Sequence, residues 1–99
     1  MQSFYAEKFD REMGCTEAEW LMWLPGAIGP INWQLTEGSA AVQIDDGKLD
    51  LSWQTGEPRV IALMRMPRLI VSFRFAGLNE AERYAFMKRF DLFMHRGGG

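Results

Sequence analysis

Ninety-nine residues carry 11 Lys and Arg against 13 Asp and Glu, a net charge of −2 that excludes the basic footprint of a general nucleic-acid binder. A 47% apolar share is enough for one buried core without staples, and a single Cys excludes an internal disulfide. No apolar run approaches the ~20 residues that cross a bilayer, and no basic region followed by an apolar stretch marks a signal peptide, so one cytoplasmic domain over residues 1–96 is expected, with 97–99 a flexible glycine tail.

Residues 2–9 hold Phe4, Tyr5 and Phe9 at a spacing that suits an edge strand or a helical turn, and the strand is preferred. Thr16 to Leu24 reads as a short helix. Thr16 is its N-cap, Glu19 completes a capping box, and Cys15 and Trp20 occupy the flanking staple positions. The run Trp20-Leu21-Met22-Trp23-Leu24 is apolar all round, so this helix is buried on several sides or touches a partner. Pro25-Gly26 is expected to stop it, with Ala27 to Pro30 a loop or a single extra turn.

Residues 31–75 predict a five-stranded antiparallel meander. Asp46-Gly47 as a tight turn pairs Ile44 with Leu49, Val42 with Leu51 and Ala40 with Trp53. Glu37-Gly38 as a turn pairs Leu35 with Ala40, Trp33 with Val42 and Ile31 with Ile44. Pro67-Arg68 as a third turn pairs Met66 with Leu69, Met64 with Val71, Ala62 with Phe73 and Val60 with Phe75, while a looser loop over 54–59 lets Trp53 meet Val60. The three turns agree on one face: Ile31, Trp33, Leu35, Ala40, Val42, Ile44, Leu49, Leu51, Trp53, Val60, Ala62, Met64, Met66, Leu69, Val71, Phe73 and Phe75, 17 positions, all apolar. On the other face only Ala41, Ile61, Leu63 and Ile70 are apolar. A helical period cannot produce that split.

Asn79 caps a long last helix running to residue 95, with Glu82 closing a second capping box. Phe86, Met87, Phe90, Phe93 and Met94 form its apolar stripe. Only the sheet face is large enough to receive that stripe, so the class is α+β: a five-stranded sheet, with an extra N-terminal edge strand if residues 2–9 supply one, covered on one face by the last helix, with a short helix before it.

That element order resembles a reduced helix-grip fold, the architecture of lipid-transfer and polyketide-cyclase-like proteins, which hold apolar ligands between sheet and last helix. The stretches CTEAEWLMWLPGAIG (15–29) and MPRLIVSFRFAGLNEAERYAFMKRFDLFMHRGGG (66–99) resemble a family of small proteobacterial proteins of about this length known only as hypothetical proteins. The resemblance covers most of the chain. It implies a bacterial cytosolic origin and carries no activity, cofactor or catalytic residue. The loop Gly29-Pro30-Ile31-Asn32 is where that family varies.

Chemistry has few candidates. His95, the only histidine, falls at a helix C-terminus, where it complements the dipole. Cys15 precedes a helix N-terminus, but Glu17 and Glu19 oppose a thiolate. Asp46 is accounted for by its turn, and Asp45 and Asp50 offer too few oxygens for Ca²⁺. No catalytic, metal or cofactor residue is assigned. Two surfaces remain. One is an apolar back-face patch of Ile61, Leu63 and Ile70 rimmed by Arg65 and Arg74, unless residues 2–9 fold back over it. The other is the Trp-rich region of Trp20, Trp23 and Ile28. The function expected is a non-enzymatic binding or scaffold domain acting through a protein–protein surface, on a second copy or another protein. One form of it is an engineered binding variant of a bacterial scaffold. The alternative is a helix-grip-like binder of an apolar small molecule.

Overall fold

The computed structural model describes residues 4–97. In chain order they form β1 (Lys8–Met13), α1 (Glu17–Ile28), β2 (Trp33–Thr36), β3 (Ser39–Ile44), β4 (Gly47–Thr55), β5 (Arg59–Ile61), β6 (Met64–Met66), β7 (Leu69–Ala76) and α2 (Glu80–Gly97). The fold is α+β. Five strands make one antiparallel sheet in the order β1-β7-β4-β3-β2, and β5 pairs with β6 alone. The preferred N-terminal strand exists but is displaced to Lys8–Met13, so only part of the predicted span 2–9 falls on it, and residues 2 and 3 lie outside the described residues. It lies at the sheet edge beside β7, not over the back face. Residues 98 and 99 are also outside the described residues, and Gly97 closes α2.

Rows of inward side chains run across the sheet. Phe9, Phe73, Leu51, Ala40 and Leu35 form one row, and Phe75, Leu49, Val42 and Trp33 the next. Trp20, Leu24 and Ile28 of α1 and Met87, Phe90 and Met94 of α2 close the core from the same side, all buried. Each such apolar side chain is worth roughly 1.5–3 kcal/mol as an upper estimate. α1 also carries the chain from the β1 edge to the β2 edge, which is why a short helix precedes the β2-β3-β4 run.

The turn at Glu37-Gly38 gives the expected pairs Trp33 with Val42 and Leu35 with Ala40. The next turn is corrected by one residue. It contains Asp45 and Asp46, so Val42 faces Leu49 and Ala40 faces Leu51. Asp45 takes the left-handed conformation, at φ 49°, which Asp tolerates. Gly47 serves another need: a Cβ there would lie 2.6 Å from the Ala76 carbonyl oxygen. The shift moves each partner by two, so every side chain keeps its face.

The third turn is a larger correction. Pro67-Arg68 is no turn; the chain reverses at Ala62-Leu63, pairing Ile61 with Met64, Val60 with Arg65 and Arg59 with Met66. β7 instead pairs with β4, Trp53 meeting Val71 and Leu51 meeting Phe73. The ladder runs out where Gly56 N–H donates to Arg68 O at 2.8 Å. Beyond it Glu57 and Pro58 oppose Pro67 alone, a two-against-one bulge. Neither proline has an N–H for the ladder. Residues 56–68 therefore leave the sheet as an arm, and Val60, Ala62, Met64 and Met66 are exposed, not core. Ile31, at 37% exposed, lies before β2 begins and does not pair with Ile44.

α1 is longer than expected. Thr16 caps it with the predicted box, Thr16 N–H donating to Glu19 Oε1 and Glu19 N–H to Thr16 Oγ1. Pro25 does not stop it. The missing bond frees the Leu21 carbonyl on a side of the helix where Leu21 and Pro25 are both exposed, so water can take it. The last turn is held by Gly29 N–H donating to Pro25 O, by Arg89 Nη1 donating to Ile28 O, and by burial of Ala27 and Ile28.

The Phe93 ring sits on Gly26, with ring atoms 2.2–2.9 Å from where a Cβ would be. Gly26→Ala in a helix interior ordinarily gains about 1 kcal/mol. Here it should instead lose roughly 1–3 kcal/mol from overpacking, read as a lower urea midpoint.

Candidate functional site

The arm is the part of the fold whose side chains do not serve the core. Alternation puts Arg59, Ile61, Met64 and Met66 on one of its faces and Val60 and Arg65 on the other. Leu63 stands at the apex and is 100% exposed; Val60, Ile61, Met64 and Met66 are exposed between 44% and 67%. Five large apolar side chains over residues 59–66 form a patch, not the single scattered exposure that any surface shows. Ala62 at the apex has φ 54°, a left-handed conformation that costs a residue with a Cβ roughly 1–2 kcal/mol.

The pair flanking a two-residue turn is bonded in both directions, so the next rung turns its backbone groups outward. On this arm those residues are Val60 and Arg65. The next outward positions are Pro58 and Pro67. Each edge thus presents one N–H before a proline interrupts it, which guards the arm against strand addition. Contacts made by the arm go through side chains. Its base is tied down by Glu12, whose Oε1 lies 3.2 Å from Arg59 Nη2 and 2.8 Å from Arg68 Nε.

Of the residues picked out by sequence, Ile61, Leu63 and Arg65 lie together on the arm. Ile70 and Arg74 do not join them. Both are on the outer face of β7, half-buried, where Ile70 faces Gln54 and Glu12, and Arg74 faces Asp50 and Lys8. Arg74 Nη2 pairs with Asp10 Oδ1 at 3.0 Å. The predicted patch was built on the Pro67-Arg68 register and separates with it. Trp20 and Ile28 are buried at 0% and 1%. Trp20 packs edge-on to Trp53 at 5.5 Å and lies 6.0 Å from Phe90, so it belongs to the core. Trp23 is half-buried against the same core. The exposed side of α1 is Ala18, Leu21, Met22 and Pro25. A groove of about 420 Å³ opens on the outer face of α2 at Ala85, Lys88, Arg89, Leu92 and Phe93.

One cluster escaped the sequence reading. Asp91 accepts from Tyr5 Oη at 2.5 Å and from Arg11 Nη1 and Nη2 at 2.6 and 3.0 Å. The Arg11 guanidinium also lies 5.3 Å from the Phe73 ring centre and 5.6 Å from that of Phe9. The signal was present: Arg11 alternates with Phe9 and Met13 on the inward face of β1, and Asp91 falls between Met87 and Met94 on the buried side of α2. Burial works to lower the Arg11 pKa, but Asp91 outweighs it and the net shift is upward. Burial, then the bond to Asp91, pushes Tyr5 up to about 12. The cluster fastens the N-terminal segment and the β1 edge to α2. Cys15 is buried, and that burial, followed by the charge of Glu19, pushes its thiol up. Among the described residues no group of three His, Cys, Asp or Glu could hold a metal ion.

Comparison with protein-family models, with curated proteins and with solved structures gives no match. No helix of the described residues is long and apolar enough to cross a membrane.

Two outcomes follow from this geometry. Tyr5→Phe should cost roughly 1.5–3 kcal/mol at neutral pH, the worth of a hydrogen bond to a charged group. A raised pKa means that the neutral phenol stabilises the fold, fully below its ordinary value of 10.0 and progressively less as pH climbs through about 12. The stability gap between Tyr5→Phe and the parent, measured by urea unfolding, should therefore narrow over that interval. On the arm, Ile61→Asp with Leu63→Asp should change the stability of the single chain, read at a concentration too low for association, by no more than about 0.5 kcal/mol, and Ala62→Gly should raise it by up to about 1 kcal/mol by relieving the positive φ.

Proposed function

We propose that this chain is a non-enzymatic protein-binding domain whose recognition element is the arm. The observation that carries this reading is the set of five exposed apolar side chains at residues 60–66, with Leu63 wholly exposed at the apex. The fold makes no use of them. Side chains of that kind lower solubility, and an apolar patch beside charged residues is the common form of a protein contact.

The residues able to do chemistry have structural uses. Cys15 is a buried thiol with a raised pKa, Asp50 pairs with Lys48, and Asp45 and Asp46 make a turn. The buried thiol suits a reducing bacterial cytoplasm, the setting that the resemblance to small proteobacterial proteins implies. α2 lying across the sheet supports the likeness to a reduced helix-grip fold. An apolar ligand between sheet and helix has less support, because Trp20, Phe73 and Phe90 meet ring to ring in that space.

A photoreactive phenylalanine analogue at position 63, in cells of the natural host, should give a protein adduct of discrete mass. Ile61→Asp in the same chain should abolish it, and the analogue at exposed position 88 should give none. Absence of an adduct at 63, or the same adduct at both positions, would refute the reading. Added fatty acid should leave the melting temperature unchanged; a rise would favour the apolar-ligand alternative.

A further inference from the structure

Resting on that reading, we infer that the partner of the arm is a second copy of this chain, each arm lying across the β2 edge of the other in a reciprocal pair.

Charge is the first argument. Residues 56–68 carry Arg59, Arg65 and Arg68 against Glu57, a net +2, and the rest of the chain carries −4. Glu12 of the same copy occupies Arg59 and Arg68. Arg65 is exposed and has no ion pair among the described residues. A basic, apolar arm suits an apolar acceptor with an anion beside it on an acidic body, and the β2 edge with Glu37 is one. An anionic membrane or a nucleic acid would attract the arm and repel the body behind it.

The two edges of the sheet are the second argument. An open edge strand invites pairing and is ordinarily protected by charge. β1 has Lys8, Asp10, Arg11 and Glu12 among its six residues. β2, with the sequence Trp-Gln-Leu-Thr, has no charge. Its inward side chains are only partly covered. Leu35 is 52% exposed, Ile31 just before it 37%, and Trp33 is only partly buried. Thr36 and Ser39 flank a two-residue turn, so Leu35 turns its backbone groups away from β3 and out of the sheet. Glu37, exposed in that turn, supplies the anion for Arg65. The guarded edges of the arm fit this role, since Leu63 at the apex and Val60, on the face that carries Arg65, cover Leu35 and Ile31 by side-chain packing without extending the sheet. Two arms facing each other would instead bring Arg65 against Arg65.

Sedimentation equilibrium of the full chain tests this. The mass should reach twice 11.4 kDa in the micromolar range. Leu63→Asp and Leu35→Asp, both at exposed positions, should each return the chain to monomer with an unchanged far-ultraviolet spectrum. Arg65→Glu and Glu37→Arg should each weaken the pair by about tenfold, and the double variant should recover most of the loss. A monomer at every concentration, a pair indifferent to Leu35→Asp, or a mass that grows past two copies would each overturn the inference. A monomer whose position-63 adduct contains a different protein removes the second copy alone; a monomer without any adduct removes the binding reading too.

Discussion

Once β4 and β7 pair from Thr55–Leu69 to Lys48–Ala76, residues 56–68 have no place left on the sheet. Their two ends are already joined, and Pro58 and Pro67 cannot extend the ladder. The same pairing leaves the other side of β7 open for β1, and so brings the first strand beside the last. β7 becomes the seam between the N-terminal segment and the β2-β3-β4 run. Arm, edges and core all follow from where this one strand sits.

The seam has a cost that the interior meets with polar chemistry. β1 is an edge strand with a cation on its inward face, and an inward charge must be paired. Asp91 answers Arg11 with both carboxylate oxygens, while Phe73 and Phe9 approach the guanidinium. Tyr5 completes the set from the segment before the strand. Without that cluster β1 would keep its backbone ladder, Phe9 and Met13, and the exposed ion pair of Asp10 with Arg74, but no tie to α2 through the core face. The β2 edge has no such anchor and no charge, and the two ends of the sheet differ in character for that reason.

Much of this was legible in the sequence, and what was not depends on which segments meet in space. The inward face of β2, β3, β4 and β7 was read correctly even where partners were wrong, because a slip of two residues preserves side-chain parity. Both capping boxes were local and unambiguous. The arm was misread because alternating apolar residues at Val60, Ala62, Met64 and Met66 carry the same signal whether they face a core or the outside. Pro67-Arg68 looked like a turn when its proline marked a bulge. The helix through Pro25 was missed because what holds its last turn, Arg89 and Phe93 from α2, is some 60 residues away in the chain. Trp20 looked available for a partner, and only the course of α1 across the sheet shows it enclosed.

The bulge at Glu57-Pro58 and Pro67 also separates two selective regimes along one continuous ribbon. Below it, each substitution is felt by a packed interior through the register of β4 and β7. Above it, residues can be exchanged, or rungs added in matched steps on both strands, with the interior unaware of the change. Descendants of this chain could therefore alter what they hold onto by redrafting eight residues, and a library randomised over 59–66 would find the rest of the molecule a ready-made handle.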